Sequence, residues 1–200
     1  MRKLFLAAVA LLVAVTASAE GFGIVGGFTS STMKPEDFTF KSSAGIHAGI
    51  AYNIPLIAGF ALQPELIYNV KGYDWNGAIP GGDAFRQRAK FGCVEVPVQL
   101  QWGPDLLLLR PYVFAEPFVG FAATGREIIG SEKDKINWDH IKSRLEYGMG
   151  VGAGIEVMSR VQVSFKYYWN VEDASQWNEV METVKSRSFN GLVISAGIFF

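Results

Sequence analysis

Apolar and polar residues alternate with a period of two in the last quarter of the chain. Between residues 144 and 157 the odd positions are apolar, whereas the even positions are charged or glycine. The alternation resumes at Val161 after the short segment 158–160, and it returns in the closing segment from Gly191 to Phe200. A period of two over adjacent segments is typical of antiparallel strands that are joined by tight turns. We therefore predict three strands in this part of the chain.

Further segments upstream show the same alternation, at residues 21–29, 44–54, 59–72, 87–102 and 106–124. The connections between the eight predicted strands alternate in length. The long polar connections cover 30–43, 73–86, 125–143 and 173–186, and the tight ones cover 55–58, 103–105 and 158–160. Long loops on one rim and short turns on the other are typical of outer-membrane barrels. The predicted fold is all-β, an eight-stranded antiparallel up-and-down transmembrane β-barrel.

The cost of placing charge in lipid decides which face of this barrel meets the membrane. A Lys or Arg on the lipid face near the bilayer midplane costs about 2–4 kcal/mol. The charged strand residues lie on the parity opposite the apolar one, so we expect a polar network in the lumen. Its predicted members are Glu65, Glu95, Glu116, Arg144, Glu146, Glu156 and Lys166.

A soluble ligand-binding barrel is the alternative, and it would reverse the two faces by placing apolar side chains inside. An outward apolar strip argues against it, because soluble proteins rarely expose large apolar patches. That strip consists of Val161, Val163, Phe165, Tyr167 and Trp169.

Four of the lumen residues are predicted to share a roughly central depth: Glu65, Glu95, Glu116 and Lys166. A buried charge without a partner is usually neutralised. Our hypothesis is that Lys166 pairs with one of the three carboxylates, that at least one other is protonated or bridged by water, and that the network plugs the barrel. The alternative is that these residues are ordinary polar fillers of the lumen without a gating role.

The N-terminus has the three parts of a secretory signal peptide. Arg2 and Lys3 give a positive start, Leu4 to Val15 is an apolar run, and Ala17-Ser18-Ala19 is a small-residue cleavage site. The apolar run is too short for a spanning helix, which needs about 20 residues. We therefore predict a signal peptide over residues 1–19, cleavage before Glu20, and a barrel domain over residues 20–200.

The composition excludes some partners and offers no clear catalytic motif. With 18 Lys and Arg against 19 Asp and Glu, no basic field favours nucleic acid. Cys93 is the single cysteine, so no intrachain disulfide can form, and no calcium or zinc ligand spacing occurs. We expect neither metal nor cofactor.

Outer-membrane enzymes and pores are the other functional classes to weigh. His47 lies on the lumen parity, and His140 follows Asp139 in a long loop near Ser131 and Ser143. Their spacing is not diagnostic of a catalytic triad, so we expect a non-enzymatic protein, with a lipid-modifying enzyme as an alternative. A narrow pore is another alternative, although open channels belong to barrels of about 16–18 strands.

Several segments together resemble the PorT-like outer-membrane β-barrel domain family of Gram-negative bacteria. They are QPELIYNVKG (63–72), VEVPVQLQW (94–102), RPYVFAEPFVGF (110–121), YGMGVGAGIEV (147–157) and NGLVISAGIFF (190–200). The resemblance implies an eight-stranded barrel with a signal peptide in the cell outer membrane, within the porin family, and it implies little biochemistry. Glu116 departs from the family, which commonly has a small residue before this proline.

The C-terminal strand ends in two phenylalanines, Phe199 and Phe200. Phe200 resembles the terminal aromatic by which the barrel-insertion machinery recognises its substrates. We expect this strand to pair with the first one and close the barrel. Trp102 is expected in the aromatic girdle of the same, periplasmic rim.

Two features of the sequence leave alternatives open. Pro64, Pro97 and Pro117 fall inside strands, so we expect a bulge or a water-satisfied carbonyl near each. Aromatic residues in the long loops either lie at the headgroups of the lipid bilayer or contact a surface ligand. These aromatics are Trp75, Phe85, Trp138 and Trp177.

Overall fold

The computed structural model describes residues 21–33, 41–78, 84–129, 132–135, 145–171 and 189–200. Eight long strands run through them, each alternating between the two faces of one sheet. They are β1 (Phe22–Met33), β2 (Lys41–Tyr52), β3 (Phe60–Ala78), β4 (Ala84–Trp102), β5 (Leu109–Ile129), β6 (Leu145–Val157), β7 (Val161–Asn170) and β8 (Phe189–Phe199). A short strand Ile54–Pro55 also pairs with β3, and Glu132–Lys135 pairs with the end of β5.

The long strands close into a ring in which each pairs antiparallel with its two neighbours. Closure is made by β1 and β8, whose ladder runs from Gly23 opposite Phe199 to Met33 opposite Phe189. The backbone N–H of Phe200 also donates to the carbonyl of Phe22 at 2.8 Å, so the chain end is tied down. The predicted eight-stranded antiparallel barrel is confirmed.

The tight turns predicted at one rim are confirmed, and the strands differ from their predicted bounds mainly at the other rim. β3 extends to Ala78 and β4 begins at Ala84, so Trp75 and Phe85 lie on strands, where we had expected a long loop. β5 begins at Leu109 and not at 106, because Leu106 to Leu108 form a turn. We call the end formed by residues 53–59, 103–108 and 158–160 the turn rim, and the opposite end the loop rim.

No helix in the part of the chain that the structure describes is both long and apolar enough to cross a membrane.

The glycines of β6 make room in the lumen for aromatic side chains of β5. A Cβ added to Gly148, Gly152 or Gly154 would meet the ring of Phe118, Phe114 or Tyr112, each at 2.5 Å. The strands pair directly, with Phe118 opposite Gly148, Phe114 opposite Gly152 and Tyr112 opposite Gly154. Each ring therefore packs over a residue that has no side chain, which fills a narrow barrel without overpacking.

The strand prolines interrupt the ladders without shifting the register. Pairing lapses where a proline supplies no N–H. The lapses are at residues 65–66 opposite 96–97, between β3 and β4, and at 98–99 opposite 116–117, between β4 and β5. The expected bulge is therefore absent at Pro64, Pro97 and Pro117, and a water-satisfied carbonyl there stays a prediction.

Register shifts occur at two other places in the described strands. One lies at Gly92 and Cys93 of β4 against β5, and the other lies between Ser42 and His47 of β2 against β3. At the second shift, Ser31 of β1 reaches past β2 to β3. Its Oγ accepts from the N–H of Gly72 at 2.8 Å and donates to the carbonyl of Gly72 at 2.9 Å. A side chain thus replaces the ladder bonds that the shift removes.

We expect Gly152→Ala to destabilise the barrel by about 1–3 kcal/mol, because the new methyl would overlap the ring of Phe114 and the carbonyl of Phe165. Gly150→Ala is the matched control, since a Cβ there has its nearest neighbour at 3.6 Å. Urea unfolding of both variants, refolded into detergent micelles, measures the two free energies. Equal losses would show that close packing over β6 is not the cause.

Candidate functional site in the lumen

The inward side chains form three polar groups at different depths. The loop-side cluster centres on Lys71, the central pair is Glu116 with Lys166, and the turn-side cluster centres on Arg110. Together they occupy the lumen from the loop rim to the turn rim.

Lys71 of β3 is enclosed on all sides by lumen groups. Its Nζ lies 2.9 Å from Glu95 Oε1 and 3.0 Å from Glu146 Oε1, and its side chain is 1% exposed. The rings of Phe118 and Tyr168 each lie 4.7 Å from the same nitrogen. Two carboxylates compensate the charge of the ammonium group, and two aromatic faces add cation–π attraction.

Lys71 is the main residue of this candidate site that the sequence analysis missed. We had assigned one base, Lys166, to three central acids, and the structure supplies a second base. The signal was present, because Lys71 continues the inward parity of Glu65 and Asn69. It was overlooked because β3 was expected to end at residue 72, which would have put Lys71 at a rim.

Asparagine side chains hold the two carboxylates that face Lys71. Asn69 Nδ2 donates to both oxygens of Glu95 at 3.2 and 3.3 Å, and Asn170 Nδ2 donates to Glu146 Oε2 at 3.0 Å. Buried carboxylates need such donors because their oxygens have lost water. The donors therefore fix the acids in position around the ammonium group.

A chain of hydrogen bonds leads from this cluster to β8. Thr29 Oγ1 donates to Asn69 Oδ1 at 2.9 Å and lies 3.4 Å from His47 Nδ1. His47 Nε2 lies 2.8 Å from Ser195 Oγ. Both ring nitrogens of this buried histidine therefore have a hydroxyl neighbour within the lumen. Side chains of β1, β2, β3, β4 and β8 are joined in this way.

The central pair joins Lys166 of β7 to Glu116 of β5 by a direct ion pair. Glu116 is 1% exposed, and its Oε2 has no hydrogen-bond partner among the described residues. Of the three acids expected beside Lys166, Glu116 is the one that the structure brings into contact. Glu95 pairs with Lys71, and Glu65 belongs to the turn-side cluster.

Glu65 accepts hydrogen bonds from amides and has no ion-pair partner among the described residues. Gln63 Nε2 and Gln99 Nε2 donate to its Oε1 at 2.8 and 3.0 Å. Gln101 Nε2 in turn donates to Gln63 Oε1 at 3.1 Å and to Gln99 Oε1 at 3.0 Å. These three glutamines lie on the inward parity, but we had singled out only charged residues, so they were missed.

Arg110 ties the turn-side cluster to the rim. Its guanidinium donates to Gln101 Oε1 at 3.1 Å and to the carbonyl of Gly59 at 3.1 Å. It also lies 3.5 Å from carboxylate oxygens of Glu156 and Asp105. Glu156 additionally accepts from Gln162 Nε2 at 2.7 Å. The mouth of the lumen is therefore crossed by a connected set of polar bonds.

The remaining predicted residues are on the turn rim or outside the described chain. Trp102 is half exposed and pairs with Phe60, as a girdle position would require. Phe200 is exposed at the same rim. Arg144, the signal peptide 1–19 and the loop residues that we considered for catalysis or surface contact lie outside the described residues. Those loop residues are Ser131, Trp138, Asp139, His140, Ser143 and Trp177.

Among the described residues, one group of side chains has ligand atoms close enough to surround a cation. Atoms of Cys93, Glu95 and Glu146 lie within 4.8 Å of one another. The ammonium group of Lys71 already bonds both carboxylates. A metal ion would have to displace this group, which the lysine side chain keeps close to the site. The arrangement suits the lysine better than it suits a metal ion.

The chain has been compared with proteins of known sequence and structure. No curated protein matches its sequence. Neisserial surface protein A (NspA) aligns at 15% identity and a TM-score of 0.49, covering 92% of this chain and 99% of that one. The attachment invasion locus protein Ail of Yersinia pestis aligns at 10% identity and a TM-score of 0.44, covering 90% and 98%. The outer membrane enzyme PagL aligns at 10% identity and a TM-score of 0.47, covering 88% and 99%.

The family of this chain is assigned from a family profile, because the structural similarities above are too distant to show a family. The profile of the outer membrane protein beta-barrel domain matches residues 18–176, which include β1 to β7. The closed ring of eight strands, with Lys71, Arg110 and Lys166 inside and an apolar outer face, is consistent with this profile. The chain belongs to the outer membrane protein beta-barrel domain family.

Proposed function

We propose that this protein is a plugged barrel of the outer membrane that serves a structural or surface-binding role, without conduction or catalysis. The observation that carries the proposal is the pairing of lumen charges across the barrel at two depths. Lys71 of β3 reaches Glu146 of β6, and Lys166 of β7 reaches Glu116 of β5. These bonds join strands that are not neighbours, so the bonded side chains cross the lumen. They occupy the space that a continuous water-filled channel would need.

The size of the barrel supports a plug. Eight strands enclose an interior that side chains fill, whereas open aqueous channels belong to barrels of about 16–18 strands. Aromatic rings of β5 occupy much of the space that the glycines of β6 leave. A narrow pore of the porin family is the competing function, and the conductance experiment below separates the two.

Residence in a lipid bilayer is supported by the family and by the exposed apolar face. The outward side chains of β7 include Val163 and Phe165, both about half exposed. In water this strip would be unfavourable, and in lipid it costs nothing. The same proposal includes a cleaved signal peptide over residues 1–19 and, on the motifs given above, membership of the PorT-like group.

A non-enzymatic role is proposed because most of the described lumen polar groups bond to one another. His47 lies inside the lumen between Thr29 and Ser195, away from any lipid substrate outside the wall. The surface ligand, where one binds, would meet the loop rim. Rigid barrels commonly present such binding loops on a stable scaffold.

We expect Glu116→Gln to destabilise the barrel by about 3–5 kcal/mol, because it leaves the buried ammonium group of Lys166 without its counter-charge. Glu65→Gln is the matched control, since Glu65 accepts only from amides and an amide oxygen can replace its carboxylate oxygen. Its expected change is below about 1 kcal/mol. Urea unfolding in lipid vesicles measures both, and a larger loss for Glu65→Gln would refute this account of the central pair.

Single-channel recording in a planar lipid bilayer tests the plug. We expect no resolved conductance steps from the natural protein, and steps from the double variant Lys71→Met, Lys166→Met, because both cross-lumen ion pairs are lost. Lys90→Met is the control, since Lys90 lies on the outward parity and donates to the carbonyl of Ala44. Regular steps from the natural protein would favour the pore and reject the plug.

Phe200 is proposed as the assembly signal for the insertion machinery. We expect its deletion to lower the amount of barrel assembled in cells more strongly than it lowers the unfolding free energy of refolded protein. A heat-dependent gel shift of cell membranes measures the first quantity, and urea unfolding measures the second. Equal losses would mean that Phe200 is an anchor in the rim and carries no signal.

A further inference from the structure

The turn rim carries large apolar side chains that are unusually exposed. Ile57 is 87% exposed and Leu107 is 104% exposed, which means that their side chains project fully from the protein. We call these residues and their apolar neighbours in the turns the turn tips. The turn tips are Leu56, Ile57, Leu106, Leu107, Leu108 and Met158. Turns that face water are normally polar, so this set needs a reason.

Two of the turn tips hold an unfavourable backbone conformation. Leu107 has φ of 55° and Met158 has φ of 54°, both in the left-handed region. Glycine or asparagine adopts this conformation more easily, and Gly59 does so in the neighbouring turn with φ of 78°. A large apolar side chain in this position adds strain and exposure together. Such a combination indicates that the side chain makes contacts outside the protein.

Backbone hydrogen bonds join the three turns into one surface. Met158 N–H donates to the carbonyl of Leu108 at 2.8 Å, and Gly103 N–H donates to the carbonyl of Gly59 at 3.0 Å. The turn tips are therefore held side by side around the rim. Together they form one apolar edge, which we call the crown.

This crown continues the outward face of the wall. On β4 the outward positions Leu100 and Trp102 lead to Leu106, and on β5 Val113 and Leu109 lead to Leu107; all are exposed. A cavity of about 640 Å³ opens inside the rim. Polar Arg110, Glu156 and Gln162 line it together with the apolar side chains of Phe199 and of the turn tips Leu56 and Met158. The outer edge of the rim is therefore continuously apolar, which fits lipid, whereas Arg110 and Glu156 lie on its inner side.

The length of the wall places the crown at the headgroups. The apolar column of β7 runs from Val161 to Trp169, and eight steps of about 3.3 Å at a tilt of about 40° make it about 20 Å high. That height is close to the apolar band of such barrels, about 25 Å. The turn tips lie beyond it, where interfacial side chains enter the boundary between headgroups and acyl chains.

We propose that the turn tips insert into the phospholipid leaflet on the turn side and anchor that rim at the boundary of headgroups and acyl chains. The proposal rests on the bilayer residence proposed above. It adds a contact surface beyond the apolar band, and it gives the strained conformations of Leu107 and Met158 a function.

Fluorescence quenching by brominated phosphatidylcholine vesicles tests the contact. Single cysteines are introduced by Leu107→Cys, Val113→Cys and Asp105→Cys in a Cys93→Ala chain, and each is labelled with bimane. Val113 reports the wall, and Asp105 reports the mouth from the same turn as Leu107. We expect bromine near the headgroups to quench the label at 107 several-fold more than the label at 105, and bromine deep in the acyl chains to quench the label at 113 most.

The possible outcomes separate this proposal from the one it rests on. If the label at 113 is quenched and that at 107 is not, the crown faces water and the inference is overturned. The inference is also overturned if the label at 107 is unquenched and position 107 cross-links to a periplasmic protein in cells. A protein, and not lipid, would then cover the turn tips. If neither label is quenched, bilayer residence itself fails. A heat-dependent gel shift checks that each labelled chain is folded.

A second pair of variants gives an independent readout. Asparagine tolerates the left-handed conformation, so Leu107→Asn relieves strain and removes the apolar contact. We expect it to retain its unfolding midpoint in detergent micelles and to lose stability in vesicles. Ser159→Asn is the control, because Ser159 has φ of 56° and a side chain that is already polar. Equal effects of Leu107→Asn in micelles and in vesicles would overturn the inference.

Discussion

The structure depends on one constraint, the pairing of the wall backbone inside a closed ring, which lapses beside the strand prolines. Lipid offers no hydrogen bonds, so an unpaired N–H or carbonyl in the wall costs several kcal/mol. The ladder between β1 and β8 meets this constraint by joining the two ends of the described chain. Where the ladder of β2 and β3 shifts, Ser31 supplies bonds from the lumen to Gly72. Closure with eight strands then fixes the width of the lumen, and the narrow lumen dictates what its side chains can be.

In a narrow lumen, the position of each charged group limits which side chains can pack beside it. The ammonium group of Lys71 has little access to water, so two carboxylates and two rings surround it. The carboxylates need asparagine donors, and those asparagines need partners of their own. The aromatic residues of β5 fit only because β6 has glycine at the facing positions. The plug proposed for this protein is the sum of these local requirements.

Much of the fold could be predicted from the sequence because a period of two is a strong signal in strands that face lipid on one side. The alternation in β6 and β7 placed both strands and the turn between them correctly. The loop-rim ends of β3 and β4 were harder, because Tyr73 to Ala78 mix polar and aromatic residues without a lipid-facing pattern. Because β3 was expected to end at residue 72, Lys71 was not recognised as a lumen residue. Its ion pair with Glu95 was therefore not predicted. The pairing of Lys166 with Glu116 depended on the stagger of β5, β6 and β7, which parity alone does not give.

The space over Gly150 has a consequence for how this lumen can vary among related chains. Gly150 lies directly opposite Glu116, and a Cβ added to it would have ordinary contacts, the nearest at 3.6 Å. The side chain of Glu116 therefore leaves the volume over Gly150 open, whereas aromatic rings fill the space over Gly148, Gly152 and Gly154. This layer of the lumen has room for a small side chain while the ion pair of Glu116 and Lys166 stays in place. A small increase in size at position 150 is therefore expected to be compatible with both charged groups.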